Sequence, residues 1–211
     1  MIDLDAIAPQ LPTAGLHIVP TVATTAEIKA DLRHNRRVTA RRFVRIEQRR
    51  RAIEQLRPLP RPGESMHGII PGSFTGWNLA EAIIELLACP VTTLTAATLG
   101  FNRQNLASVC EALDAGKMQQ FKLIVSDYFR SSDRRIFSDC KAELERRGQI
   151  VFVCRSHAKL MLFETADGRN LVCETSANLR SSVNIEQFVI SDDRALLEFH
   201  KAWIRTLEAS Q

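Results

Sequence analysis

The chain offers little from which to build a metal centre or a disulfide framework. Its cysteines, Cys89, Cys110, Cys140, Cys154 and Cys173, are odd in number, spaced by 21, 30, 14 and 19 residues, and lie mostly within apolar runs. No CxxC pair occurs. Zinc and iron–sulfur sites draw on close cysteine pairs or His/Cys clusters, so buried reduced thiols are expected, with no metal and no cofactor. No apolar stretch approaches the roughly 18 residues that a membrane span needs. The acidic start Met1-Ile2-Asp3-Leu4-Asp5 lacks the positive region and apolar core of a signal peptide, which points to a soluble, cytoplasmic protein. There is no internal repeat. With hydrophobic residues at 45% and charged residues at 25% of 211, the chain is globular in composition, which sets aside wholesale disorder and collagen-like structure.

Lysine is also scarce, 6 against 22 arginines, and the arginines are unevenly placed. From Lys29 to Arg61 the net charge is +9, so the rest of a chain of net +4 carries −5. The basic character belongs to one segment. Its helix signals begin at Thr24 or Thr25, which can cap, and run without Gly or Pro to Pro58. Its apolar stripe, Ile28, Leu32, Phe43, Ile46, Ile53 and Leu56, is thin, so such a helix must lie on another surface, pack in an oligomer or stand partly free. Before it, Pro9, Pro12 and Pro20 suit an extended lead-in with one short strand near Leu16 to Val19. After it, Pro58-Leu59-Pro60-Arg61-Pro62-Gly63 reads as a linker.

From about Met66 short apolar strands alternate with amphipathic helices. Strands are expected at Gly68 to Ile70, Val91 to Ala97, Phe121 to Ser126, Gln149 to Cys154, Ala158 to Phe163, Asn170 to Glu174 and Ile185 to Ile190. Helices are expected at Asn78 to Leu87, Gln104 to Ala115, Arg134 to Arg147 and Ala195 to Leu207. This alternation predicts an α/β layered domain with a mixed sheet.

Within that domain the run Ser156-His157-Ala158-Lys159-Leu160-Met161-Leu162-Phe163-Glu164 alternates as a strand does. Residues two apart share a face, so His157 and Lys159 are expected side by side, with Leu160 and Leu162 in the opposite, apolar layer. Downstream, Ser176 and Asn178 repeat the device with a hydroxyl and an amide, and Glu186 adds a carboxylate. An anionic phosphodiester calls for such a set. It needs donors for its non-bridging oxygens, an imidazole to attack phosphorus or protonate the leaving group, and an acid to orient that imidazole.

At these residues the chain resembles the phospholipase D superfamily, whose signature is His-x-Lys, four residues, Asp, then a Gly/Ser-x-Asn element and a later Glu. The counterparts here are His157, Lys159, Glu164, Ser176, Asn178 and Glu186. Glu164 stands where the family usually has Asp, and Thr175 where Gly often precedes the Ser. The resemblance implies a phospholipase D-like mixed β-sheet flanked by helices over residues 62–211, preceded by the lead-in and Arg-rich helical arm of 1–61. It also implies a metal-independent phosphodiesterase that works through a phosphohistidine. In the superfamily two such motifs face each other, whereas His17, His34, His67 and His200 here are followed two residues on by Val19, Arg36, Ile69 and Ala202. The second histidine is then expected from another copy, in a homodimer with its catalytic centre at the twofold interface. His157 would be nucleophile in one copy and general acid in the other, Lys159 and Asn178 would bind phosphoryl oxygens, Ser176 would help position them and Glu186 would hydrogen-bond the imidazole. Glu164 is expected as a structural partner.

The arginine arm, Arg36, Arg37, Arg41, Arg42, Arg45 and Arg49, then reads as a nucleic-acid-binding segment that neutralises backbone phosphates, against a plain solvated or partner-binding helix. The function expected is a nuclease acting on DNA or RNA. The alternatives are a catalytically silent nucleic-acid-binding protein, and a phospholipase or phosphatidyl transferase drawn to anionic lipid. Other candidates carry less. Gly116-Lys117-Met118 lacks the remainder of a P-loop, Gly72 to Asn78 reads as a structural turn or a donor-rich helix start, Asp127, Tyr128 and Arg130 as a cleft rim or a solvated loop, and His200 as packing.

Overall fold

A computed structural model describes residues 37–70, 72, 74–180 and 184–209, with side chains in the first helix described from residue 47 onward. The expected strand at Leu16 to Val19, the caps at Thr24 and Thr25, and Arg36 lie outside the described residues, as do the side chains of Arg37, Arg41, Arg42 and Arg45. The elements run α1 (Arg37–Leu56), β1 (Ser65–Ile70), α2 (Gly76–Leu86), β2 (Val91–Thr98), α3 (Arg103–Asp114), β3 (Met118–Ser126), α4 (Asp127–Ser132), α5 (Arg134–Arg146), β4 (Ile150–Cys154), β5 (Leu160–Thr165), β6 (Asn170–Thr175), β7 (Glu186–Asp192) and α6 (Arg194–Ala209). Each of the seven strands expected between Gly68 and Ile190 has its counterpart, with bounds moved by a few residues. The short α4 occupies a stretch that sequence left between cleft rim and loop.

Local chemistry sets the boundaries. Thr75 and Asn78 form a reciprocal capping box that starts α2 two residues earlier than expected. Asn102 caps α3 by accepting from the Asn105 N–H at 2.8 Å. Both α3 and α5 end in the same way. Gly116 and Gly148 take left-handed backbone at φ 68° and 70°, and the N–H groups of Lys117 and Gln149 return to the carbonyls of Ala112 and Leu144. Each such turn delivers the chain directly into the next strand, β3 or β4.

The strands form one sheet in the order β1-β7-β6-β5-β2-β3-β4. β2, β3 and β4 are parallel and every other pairing is antiparallel. Helices cover both faces. On one face Leu79 and Ile83 of α2, Val109 of α3 and Leu144 of α5 bury against Leu94, Phe121, Met161 and Phe163. Ala52 and Leu56 of α1 join this core, fully buried, so the sparse apolar stripe of that helix does find a surface. On the other face Leu197 and Ile204, one heptad apart on α6, cover Ala97, Ile124, Leu160, Leu162 and Val172. β5 is therefore apolar on both faces. The proline segment is tied down: the Gly63 N–H donates to the Asp192 carbonyl at 2.7 Å, and buried Asp192 holds Arg169, which in turn donates to the Pro60 carbonyl. Among the described residues no helix is long and apolar enough to cross a membrane.

One connection matters most for the site. β4 is the edge strand, while β5, next in sequence, pairs with β2. Residues 155–159 must therefore cross three strand spacings, about 14 Å, over the C-terminal ends of β3 and β2. An extended chain of that length reaches about 20 Å, so the crossing strap has little slack.

Candidate active site

His157 lies in this strap. The strand expected from Ala158 begins instead at Leu160, so His157 and Lys159 precede it. The sequence alternation still predicted the right neighbourhood: Lys159 Nζ stands 3.0 Å from His157 Nδ1 and donates to the His157 carbonyl at 3.1 Å. An ammonium has only donors, so Nδ1 accepts, and a neutral imidazole so held carries its proton on Nε2. His157 is exposed and Lys159 half-buried.

Ser176 and Glu186 meet next to them. Thr175 donates its N–H to the Lys159 carbonyl at 3.1 Å, which places the end of β6 beside the start of β5. Beyond that point the Ser176 hydroxyl donates to Glu186 Oε2 and accepts from the Gln187 N–H at 3.0 Å. Glu186 opens β7, whose partner β1 ends on the same edge, at Ile70 opposite Glu186. The edge thus collects the strap, the end of β6 and the start of β7. In this state Lys159 meets His157 Nδ1, and the Ser176 hydroxyl occupies Glu186 Oε2, where sequence had placed a carboxylate–imidazole contact.

Asn178 follows on the loop after β6. Its Oδ1 is buried without a hydrogen-bond partner among the described residues, an orphan whose desolvation costs about 1–3 kcal/mol. Its backbone is clamped: Ala177 and Leu179 are buried, the Leu179 N–H donates to Thr98 Oγ1 at 3.2 Å, and Gly76 at the start of α2 comes so close that a Cβ there would lie 2.9 Å from the Asn178 carbonyl oxygen. Within the Gly72 to Asn78 stretch, Gly76, Trp77 and Asn78 open α2 as a capped helix start that abuts the Asn178 backbone. Glu164 lies farther along β5 and pairs with Lys201 of α6 at 2.6 Å, a tie between sheet and helix that suits the structural role expected of it.

Other candidates resolve simply. His200 is buried, accepting at Nδ1 from Trp203 Nε1 at 3.1 Å with Nε2 3.2 Å from Glu174, which is packing with a satisfied ring. Arg49 is paired with Glu85 at 2.6 Å, and Arg50 with Glu47 and Glu54. Lys117 shares Glu85 at 2.7 Å. All five cysteines are free thiols, and burial raises Cys110, Cys154 and Cys173 and pushes Cys140 up to about 12. Among the described residues no group of three or more His, Cys, Asp or Glu side chains is placed to hold a metal ion. Sequence reading passed over Leu99 and Arg155, which share a cavity with His157 and Tyr128. Their signal was positional: each immediately follows a parallel strand, where open α/β sheets bind ligands.

No protein-family model and no curated protein sequence matches this chain. Among solved structures it is similar to the polyphosphate kinase of Porphyromonas gingivalis, at 12% identity and TM-score 0.54, over 69% of this chain and 26% of that one. The chain thus spans about a quarter of that protein. Two further likenesses are to Nuc of Salmonella typhimurium, a phospholipase D family member (12% identity, TM-score 0.48, 69% of this chain and 92% of that one), and to NucT of Helicobacter pylori (12% identity, TM-score 0.46, 70% and 96%). The likeness to the polyphosphate kinase is one of fold, here a mixed α/β sheet between helical layers.

Proposed function

We propose that this chain is a metal-independent phosphodiesterase, a nuclease that hydrolyses DNA or RNA through a phosphohistidine in a homodimer. The observation that carries the reading is the meeting of two pairs, His157 with Lys159 and Ser176 with Glu186, on adjoining strand ends of one sheet edge. An imidazole and an ammonium in contact supply a nucleophile and a positive charge for the phosphoryl oxygens. The hydroxyl–carboxylate pair and the Asn178 amide supply further polar groups within the same loops.

The catalytic sequence is a double displacement. When an anionic phosphodiester enters, Lys159 and Asn178 turn to its non-bridging oxygens, which releases Nδ1. The ring proton moves through solvent from Nε2 to the freed Nδ1, the Nε2 lone pair so exposed attacks phosphorus, and the bond from phosphorus to the leaving oxygen breaks as that oxygen takes a proton from the imidazolium of His157 of the partner subunit. That second imidazole then removes a proton from water, which attacks phosphorus, breaks the P–N bond and restores the first histidine. Glu186 accepts from the Ser176 hydroxyl and so orients it. The arm of Arg36, Arg37, Arg41, Arg42, Arg45 and Arg49 adds affinity for the polyanion, and Arg49 must exchange its pair with Glu85 to take part.

The test is cleavage of mixed single- and double-stranded DNA in excess EDTA by the wild-type chain and by His157→Ala. Cutting by the wild type and none by the variant is the expected result. If neither cuts while both bind DNA with steep salt dependence, the chain is a silent nucleic-acid-binding protein and the proposal fails.

A further inference from the structure

The strap and the loops beside it border an open cleft of about 690 Å³ next to His157, lined by Leu99, Ser126, Asp127, Tyr128 and Arg155. These residues follow or end β2, β3 and β4, so the cavity sits at the C-terminal ends of the three parallel strands. Tyr128 is the only tyrosine of the chain, and it is 58% exposed. Its neighbour explains how it is held. Phe129 is buried and meets Phe137 edge-on at 6.0 Å, while Ser126 accepts from the Tyr128 N–H at 3.1 Å, so α4 is fixed to the core and turns the phenol ring outward. Charge in the cavity is also uneven. Asp127 is paired with Arg130 at 2.8 Å, whereas Arg155 is exposed and forms no ion pair among the described residues.

A rigid, exposed aromatic ring, an uncompensated guanidinium and an apolar wall at Leu99, all beside an imidazole proposed to attack phosphorus, match one ligand chemistry. We infer that this cavity receives the nucleotide next to the scissile phosphate of a single-stranded nucleic acid, with its base on Tyr128 and the following phosphate at Arg155. The inference rests on the phosphodiesterase reading and narrows its substrate class. A base in a duplex has both faces covered by its neighbours and cannot stack on Tyr128 without leaving the helix. Stacking accepts any base, so the site selects for strandedness rather than sequence.

The test measures fluorescence anisotropy of a labelled 12-nucleotide thymidine strand and of the duplex it forms with its complement. The full chain carries His157→Ala throughout, so that binding is read whether or not the chain cuts. Tyr128→Ala is expected to weaken single-strand binding by about 5- to 100-fold, with duplex binding changed less than about 2-fold, while Tyr128→Phe and Tyr128→Trp keep single-strand affinity. Arg155→Ala is expected to flatten the salt dependence of single-strand binding. Equal affinity of Tyr128→Ala and the His157→Ala parent for the single strand overturns the inference, as does an equal loss on strand and duplex. So does a loss confined to phosphatidylglycerol vesicles, which would make the cavity a lipid site. Tyr128→Phe folds with the same buried neighbours, so its loss of affinity would also count against the stacking role. Absence of cleavage by the wild type fails the phosphodiesterase reading alone and leaves these binding results to be read independently.

Discussion

The ammonium of Lys159 lies 3.0 Å from Nδ1 of His157, so the imidazole is held at its accepting nitrogen. With Lys159 donating to Nδ1, a neutral ring carries its proton on Nε2. In the proposed mechanism this contact masks the attacking nitrogen until an anion draws Lys159 away.

Nitrogen–proton correlation spectra of histidine-labelled protein are expected to show His157 in the Nε2–H tautomer when free and to change on addition of vanadate. Lys159→Met is expected to abolish that preference and to lower phosphodiester cleavage about 10²- to 10³-fold, the scale on which a single charge stabiliser acts. An Nδ1–H tautomer in the free protein would contradict the masking.

The cysteines are expected to be inert in the folded state. Burial pushes the Cys140 thiol up to about 12 and raises those of Cys110, Cys154 and Cys173, so almost no thiolate is present at neutral pH. Native protein treated with iodoacetamide should be modified at Cys89 at most, and at all five positions in denaturant, as read by mass spectrometry. Rapid native alkylation of Cys140 or Cys173 would show that the core opens more readily than its packing implies.

Two glycines separate fold from site. A Cβ at Gly68 would lie 2.3 Å from the ring of Phe188, its cross-strand partner, and one at Gly76 would lie 2.9 Å from the Asn178 carbonyl. Both alanine variants are expected to lose about 1–3 kcal/mol in urea unfolding, the usual cost of overpacking. Only Gly76→Ala should lower cleavage in the protein that remains folded, because its clash displaces the loop of Asn178. Equal activity per folded molecule in the two variants would remove Asn178 from the site.

Much of the scaffold was legible because it follows from local periodicity. Apolar alternation in β2 to β7, and the caps and glycine turns around α2, α3 and α5, are short-range features that sequence carries within a few residues. His157 and Lys159 were expected to meet on one strand face, but they meet in the strap before β5, through the Lys159 ammonium reaching back to Nδ1 and to the His157 carbonyl. The short α4 was not, because Asp127 to Ser132 shows no amphipathic period. What orders it is burial of Phe129 against Phe137 across two helices.

The sequence by itself determined the elements other than α4, to within a few residues, and the identity of the polar residues, since each depends on side-chain type and nearest neighbours. Only the tertiary structure decided where those residues meet. The order β5-β2-β3-β4 throws the strap over the strand ends and opens a cavity at Tyr128 and Arg155, and the β6–β7 register joins Ser176 to Glu186. It likewise turned Arg49 toward Glu85, a carboxylate on another helix. Strand order is a long-range choice, set by which apolar faces bury best together, and no local spacing encodes it.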